Sequence, residues 1–155
     1  MKRIALLLLA LVAATIADDM QLIENTAKGF ETDVDTVTGC LKEADTTMVE
    51  VNGVMKKIKD SASNEEIDEE TKEIVVKHNN FLACMLEKTG MMEGNTLLTD
   101  KIIESIKKDK DMITAPDEKE LRECLDSLNE DKDKMTNGEM AFGLMLCIYV
   151  PSDKK

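Results

Sequence analysis

The sequence predicts an all-α protein of about six short helices. Apolar residues recur at the three- and four-residue spacing of one helix face, rather than at the alternating spacing of strands. Glycine and proline, the residues that most weaken helices, number only seven and two in the 155 residues. Four cysteines are spread over the helical stretches. In an exported protein they predict two disulfides, for which three pairings are open.

The first 17 residues have the pattern of a secretory signal peptide. A basic start at Lys2 and Arg3 precedes the apolar run Ile4–Val12, and the small residues up to Ala17 suit cleavage. The apolar run is too short to cross a bilayer. We therefore expect cleavage after Ala17, secretion into the extracellular space and a single folded domain over residues 18–155.

The folded part is strongly acidic. Loss of the signal peptide changes the formal net charge from −12 to −14, because two basic residues leave and no acidic one does. This charge disfavours nucleic acid and anionic membrane surfaces as partners. We interpret the acidic residues as a solvated surface that keeps a small secreted protein dissolved.

The N-terminal half is predicted to form two helices and the start of a third. The first helix runs from about Met20 to Ala44, with a break near Gly29–Thr32, and the second covers about Thr47 to Lys59. Asp60–Asn64 is predicted to be a loop. The acidic run Glu65–Glu70 begins the third helix, where negative side chains suit the helix dipole. The apolar residues expected on the inner faces of the first two helices are Val34, Val37, Leu41, Val51, Val54, Met55 and Ile58.

The stretch Phe81–Asp100 is the most informative part of the chain. It places Cys84 within an apolar run that carries the third helix to Lys88, breaks at Gly90 and turns at Glu93–Asn95. A fourth helix then covers about Leu97 to Lys108, with inner residues Leu98, Ile102 and Ile106.

Two further helices complete the prediction. Pro116 is expected in the first turn of the fifth helix, where proline is tolerated. Asn129–Asn137 is a charged connection, and the sixth helix covers Gly138–Val150 and is stopped by Pro151. The inner residues of these two helices are Leu121, Cys124, Leu125, Leu128, Ala141, Leu144, Met145 and Ile148.

The cysteine layout resembles that of the insect odorant-binding protein family, the pheromone-binding and general odorant-binding group. The cysteines fall late in the first helix and within the third, fifth and sixth helices, at Cys40, Cys84, Cys124 and Cys147. The resemblance covers the whole chain after the signal peptide. Its most specific segments are CMLEKTGMMEGN, which begins at Cys84, and EMAFGLMLCIY, which includes Cys147.

Two positions show how this chain departs from the commoner six-cysteine members. Those members have three residues between the second and third cysteines and eight between the fifth and sixth. The equivalent positions here are Asn80 and Gly138. Because the family bonds these two cysteines to each other, one whole disulfide is missing, as in the four-cysteine "minus-C" type. The remaining pairs implied by the resemblance are Cys40–Cys84 and Cys124–Cys147. The span between the first pair is longer than usual, with the extra residues around Asn52–Glu70.

The resemblance implies a cup of helices around an internal apolar cavity, and a secreted carrier of odorants, pheromones or related hydrophobic molecules. Helical stripes of leucine, methionine and isoleucine are by themselves more typical of a filled core, so it is the resemblance that favours a lined pocket. Methionine-rich walls suit flexible aliphatic ligands. Tyr149 could offer its hydroxyl at the pocket rim, or could be an exposed residue at a helix end. The expected ligand-binding residues are Met55, Leu82, Leu86, Met91, Met92, Leu98, Leu121, Leu144, Met145 and Ile148.

His78 is the only histidine and a candidate pH sensor. In some family members histidine protonation at lowered pH promotes ligand release. The alternative is a surface or half-buried histidine without such a role.

Catalytic and metal-binding patterns are lacking. One histidine provides no metal cluster and no phospholipase-type dyad, and no GxSxG motif is present. The acidic stretch Asn129–Glu139 does not fit a calcium loop, because Thr136 or Leu144 would occupy the positions that need glycine and glutamate. We therefore expect no enzymatic activity, no cofactor and no metal.

The expected partners are a small hydrophobic ligand, a membrane odorant receptor and a second copy in a weak homodimer. The rival hypothesis is a secreted protein-interaction or venom-type factor that uses the same scaffold without a ligand cavity.

Overall fold

The computed structural model describes residues 18–61, 69–109 and 116–149, with side chains for all of these except residues 55–61. The predicted signal peptide, residues 62–68 and the stop at Pro151 lie outside the described residues, as do the side chains of Met55 and Ile58.

The described chain is helical almost throughout, which confirms the all-α prediction. Because the first predicted helix is divided in two, the described residues form seven α-helices instead of six. The helices are α1 (residues 18–29), α2 (Val34–Glu43), α3 (Met48–Ser61), α4 (Glu69–Lys88), α5 (Thr99–Lys108), α6 (Glu118–Glu130) and α7 (Asn137–Tyr149). A two-stranded antiparallel hairpin, β1 (Met92–Glu93) and β2 (Thr96–Leu97), lies between α4 and α5, and a 3₁₀ turn, Lys132–Lys134, lies between α6 and α7.

The chain divides into two compact units, Met1–Ile74 and Val75–Lys155, with the boundary inside α4. The described part of the first unit contains α1 to α3 and the start of α4. Apolar side chains at helical spacing are buried there, as expected for amphipathic helices. They are Ile23, Ala27, Val37, Leu41, Ala44, Met48, Val51 and Val54.

The break between α1 and α2 has a local cause. The amide of Thr32 donates to the carbonyl of Ala27, so α1 ends in a reversed turn with Glu31 in the left-handed region at φ +51°. Asp33 then caps α2, and its carboxylate accepts the Thr36 amide at 2.7 Å. The Asp33 carboxylate gives this backbone amide a partner outside a continuous helix, so the first predicted helix is divided here.

In the second unit, α6 is in contact with several other elements. It contacts α5, α7, β2 and the 3₁₀ turn. Leu121 and Leu125 of α6 are almost completely buried, with exposed fractions of 2% and 0%. The other large side chains of this core are Phe81, Met85, Leu97, Ile102 and Met140.

Three details of the prediction are corrected. Leu97 belongs to a strand and not to the fourth helix, because its backbone pairs within the hairpin. Pro116 lies before the cap of α6 instead of in its first turn, since Asp117 is the capping residue and accepts the Lys119 amide at 2.9 Å. The connection expected at Asn129–Asn137 is shorter, because α6 continues to Glu130 and the 3₁₀ turn follows.

Candidate functional site

The hairpin that follows α4, taken with its flanking residues as Met91–Leu98, contains three of the expected ligand-binding residues. Gly90, with φ +72°, ends α4 in a Schellman turn: its amide donates to Glu87, and the Met91 amide donates to Leu86 at 2.8 Å. The Leu98 amide then donates to the Met91 carbonyl at 2.9 Å and closes the base of the hairpin. Met91 and Leu98 are therefore held side by side.

The turn of the hairpin is tight. Gly94 has φ +57° at the first of the two loop positions, as in a type II′ turn, which a residue with a Cβ would adopt only with strain. The pairs Met92–Leu97 and Glu93–Thr96 form the ladder. Met92 and Leu97 are each only 2% exposed, so the hairpin has an apolar buried face.

The Asn129 side chain of α6 takes the place of a third strand. Because the Met91–Leu98 pair is hydrogen-bonded, the Leu97 amide and carbonyl point away from β1. Asn129 Oδ1 accepts from the Leu97 amide at 2.8 Å, and Asn129 Nδ2 donates to the Leu97 carbonyl at 2.9 Å. One carboxamide therefore satisfies both backbone groups of a buried residue, which would otherwise be costly to leave unpaired.

The hairpin loop is fastened to the 3₁₀ turn by a second carboxamide. Asn95 Nδ2 donates to the carbonyls of Lys132 and Met135. The ammonium group of Lys132 in turn donates to Thr96 Oγ1 at 3.2 Å. The hairpin is thus anchored at its base, its second strand and its tip.

The same face of α6 binds the start and the end of α5. Arg122 donates to Asp100 at 2.8 Å, and Asp126 accepts from Thr99 Oγ1 at 3.2 Å. Near the N-terminus of α6, Glu118 pairs with Lys107 of α5, and this contact lowers the pKa of the Glu118 carboxyl. We call the α6 residues Glu118, Arg122, Asp126 and Asn129 the polar stripe.

The polar stripe was not predicted from the sequence. Its spacing of four, four and three residues places all members on one helix face, and that signal was present in the chain. To recognise these residues as the contacts of α6 with α5 and the hairpin, one must know which elements lie opposite α6. The hairpin was not predicted.

The pair α6–α7 is joined by a disulfide and a close backbone approach. Cys124 and Cys147 are bonded, with their Cα atoms 5.9 Å apart, in the pairing that the resemblance implied. One turn after Cys124 in α6 and one turn before Cys147 in α7, Gly143 lies so near Leu128 that a Cβ on the glycine would be 2.7 Å from Leu128 Cδ2. Cys40 and Cys84 are also disulfide-bonded, so all four cysteines are oxidised.

The structure brings together the two positions at which six-cysteine members carry their extra bridge. A Cβ built on Gly138 of α7 would lie 2.8 Å from Asn80 Oδ1 and 3.4 Å from the Cβ of Asn79. A polar contact ties the same helices nearby, since Asn137 Nδ2 donates to Glu87 Oε1 at 2.7 Å.

A capping box fixes the start of α7 beside this junction. The Thr136 amide donates to Glu139 Oε2 at 2.7 Å, and the Glu139 amide donates to Thr136 Oγ1 at 3.2 Å. Hydrogen bonding from Thr136 to the ionised carboxylate, chiefly from its backbone amide and next from its side chain, lowers the pKa of Glu139. Gly138 sits between the two residues of the box, so its position against α4 is well determined.

Nine of the ten expected ligand-binding residues have described side chains, and all nine belong to the second unit. They come from α4, the hairpin region, α6 and α7. The buried ones are Leu82, Leu86, Met92, Leu121 and Leu144, and the half-buried ones are Met91, Leu98, Met145 and Ile148. The tenth, Met55, has its side chain outside the described part.

A separate open depression of about 470 Å³ lies along α6. Its lining is mixed in polarity and consists of Glu120, Glu123, Cys124, Ser127 and Leu128. These residues are distinct from the ten expected ligand-binding residues. A wide opening flanked by two carboxylates is poorly suited to enclosing an apolar ligand.

His78 lies in α4 and is buried, with only 4% of its surface exposed. Its Nδ1 atom is 3.2 Å from Asn79 Oδ1. Burial lowers the pKa of the imidazole, because the charged form loses hydration, and the contact with Asn79 opposes this shift only partly. Tyr149, the candidate rim residue, is about half exposed at the end of α7.

Within residues 18–61, 69–109 and 116–149, no cluster of three or more histidine, cysteine or acidic side chains could hold a metal ion. In the same part of the chain, every helix is either too short or too polar to cross a membrane.

Comparison with known proteins gives one informative result. The PBP/GOBP family matches residues 31–150, which is most of the chain. No curated protein and no solved structure shows a significant match. Four cysteines, all of them oxidised, agree with the four-cysteine type of this family. The chain therefore belongs to the PBP/GOBP family, the insect odorant-binding proteins, whose members are binding proteins for small hydrophobic ligands.

Proposed function

We propose that the protein is a secreted carrier that binds small hydrophobic molecules, such as odorants, pheromones or related semiochemicals, in an internal apolar pocket. It would transport them through aqueous extracellular fluid after cleavage following Ala17. The observation that carries the proposal is the family match over residues 31–150. The oxidised cysteines add support, because disulfides persist in extracellular compartments.

The expected ligand-binding residues have suitable chemistry for this task. Burial of apolar ligand surface is worth roughly 25 cal/mol per Å², from which ordering costs are subtracted. An aliphatic chain of modest length therefore reaches micromolar affinity without strong polar contacts. Met91, Met92 and Met145 have flexible thioether side chains, which adapt to ligands of different shape. We propose Tyr149 as the residue that meets a ligand's polar end at the rim.

The proposed framework consists of one domain over residues 18–155 with two bridges. Cys124–Cys147 joins α6 to α7. Cys40 and Cys84 are both oxidised, and the family pattern makes them the second pair. In the loop-closure treatment, these two bridges stabilise the fold by at most about 4 kcal/mol (Cys40–Cys84) and about 3.4 kcal/mol (Cys124–Cys147).

Uptake of a fluorescent apolar probe tests the proposal. The chain without residues 1–17 is titrated with the probe, and the bound probe is then displaced with long-chain aliphatic alcohols. We expect saturable uptake at micromolar concentration and displacement that strengthens with alcohol chain length. The absence of tryptophan keeps the protein's own fluorescence low. Absence of uptake at micromolar concentration would instead favour the protein-interaction or venom-type alternative.

The proposal also includes a protein partner in addition to the ligand. Leu146 and Tyr149 of α7 are exposed by 45% and 51%, and they offer apolar surface outside the folded core. A membrane odorant receptor or a second copy in a weak homodimer would be the partner expected for a carrier. Sedimentation of the free and probe-loaded protein distinguishes a monomer from a dimer.

A further inference from the structure

We propose that Asn129 is a positioning residue for ligand binding: it fixes the location of the Met91–Leu98 hairpin and thereby the shape of the apolar pocket. The inference rests on the proposed function, because it assumes that Met91, Met92 and Leu98 contact the ligand.

The first step of the argument is that the hairpin has little stability of its own. Each strand has two residues, and an isolated two-stranded hairpin is at best marginally stable in water. Its position must therefore be imposed by neighbouring elements. The described contacts that do so come from the end of α4, from α6 and from the 3₁₀ turn.

The second step is that Asn129 makes the central one of these contacts. Its two hydrogen bonds to Leu97, at 2.8 and 2.9 Å, continue the hydrogen-bonding pattern of the strands with one carboxamide. They fix the position and the orientation of β2 relative to α6. Leu97 stands directly opposite Met92 and directly before Leu98. A displacement of Leu97 consequently moves two expected ligand contacts at once.

The third step is that the other contacts of the hairpin do not by themselves fix the position of Leu97. Asn95 holds the loop and Lys132 holds Thr96 at the start of β2, whereas the base is held by Met91 through the end of α4 and its bond to Leu98. Without Asn129 the second strand could tilt between these two fixed ends. The buried amide and carbonyl of Leu97 would then seek other partners, because leaving them unpaired is costly.

The test compares Asn129→Leu with Arg122→Leu. The first substitution keeps the side-chain size and removes both hydrogen bonds to Leu97. The second lies on the same polar stripe and removes contacts to Asp100 and Glu118, none of them in the hairpin. Affinity for the fluorescent apolar probe is measured under conditions in which each variant is folded, so that lost stability does not reduce apparent affinity.

We expect Asn129→Leu to weaken probe binding about tenfold, comparable to the loss of one or two methylene contacts in an apolar pocket. It should also change the preference between straight and branched aliphatic competitors. Arg122→Leu should change neither quantity. Unchanged affinity and preference in a folded Asn129→Leu variant would overturn the inference, as would equal effects of both substitutions.

Hydrogen exchange in the wild-type protein provides a second measurement that does not depend on a variant that folds. The Leu97 amide should be protected and should exchange more slowly when ligand is bound. Fast exchange, or protection that ligand does not change, would contradict the positioning role. If the wild-type protein takes up no apolar probe, the proposed function itself fails, and this outcome is distinct from wild-type binding that Asn129→Leu leaves intact.

Discussion

Asn80 of α4 and Gly138 of α7 are in direct contact, with the Asn80 carboxamide occupying the space into which a Gly138 Cβ would project, 2.8 Å from Oδ1. These are the positions that residue counting from Cys84 and Cys147 assigned to the absent bridge. The two positions are therefore neighbours in the fold, and the hydrogen bond from Asn137 to Glu87 joins the same two helices.

Restoring the bridge is the first prediction. The double substitution Asn80→Cys and Gly138→Cys should form a third disulfide, because the asparagine side chain that blocks the space is removed in the same step. The bridge should raise the free energy of unfolding by about 2–4 kcal/mol. Intact mass and peptide mapping identify the bond, and urea denaturation measures its effect.

Asn80→Cys alone serves as the control and should leave one free thiol without the gain in stability. A double variant whose two new thiols stay reduced under oxidising conditions would show that the contact does not have the geometry of a bridge.

The helical framework could be predicted because it depends on local periodicity. Val37, Val51 and Leu121 repeat at helical spacing with their neighbours, and all three are buried. The Asn80–Gly138 contact could be predicted because the resemblance paired these two positions, which are far apart in the chain. Periodicity alone contains no such information.

The hairpin could not be predicted for a physical reason. Strands of two residues are too short to show alternation, and β2 is stabilised by Asn129, which is 32 residues away from Leu97. Gly94 marked a turn but did not reveal that the turn joins strands. The expected ligand-binding residues could be nominated from their helix faces, whereas the contacts of the hairpin with α6 and the 3₁₀ turn required coordinates.

The second prediction concerns Gly143, where α7 approaches α6. Gly143→Ala should lower the free energy of unfolding by about 1 kcal/mol, because the new methyl group overlaps both Leu128 Cδ atoms. Gly39→Ala in α2 is the matched control: space around Gly39 is open, and alanine should stabilise that helix by about 0.5–1 kcal/mol. Urea denaturation compares the two variants.

Truncating the neighbour should reverse the Gly143 effect. In a Leu128→Ala background, Gly143→Ala should become neutral or stabilising, since the overlapping atoms are gone. An equal loss in both backgrounds would refute the overlap as its cause.

The third prediction is a pH dependence of stability that involves His78. Its pKa in the folded protein lies below the ordinary value of 6.5 because of burial. As the pH falls below 6.5, the unfolded chain takes up the proton more readily than the folded one, so the free energy of unfolding decreases. His78→Gln should reduce the loss of stability between about pH 7.5 and about pH 5. Equal losses in both proteins would mean that other groups cause the acid sensitivity.

Ligand release is a separate test of the same residue. If His78 acts as the proposed pH sensor, His78→Gln should also flatten the decrease in probe affinity at low pH. Unchanged pH dependence of affinity would assign to this histidine a role in stability alone.

The measurement that tests the central claim most directly is the methyl NMR spectrum of the methionine side chains during titration with an aliphatic ligand. An apolar pocket lined by Met91, Met92 and Met145 predicts saturable shifts of these three signals, while the exposed Met20 is unchanged. Shifts confined to Met20, or a spectrum that the ligand leaves unaltered, would contradict a carrier with an internal binding site.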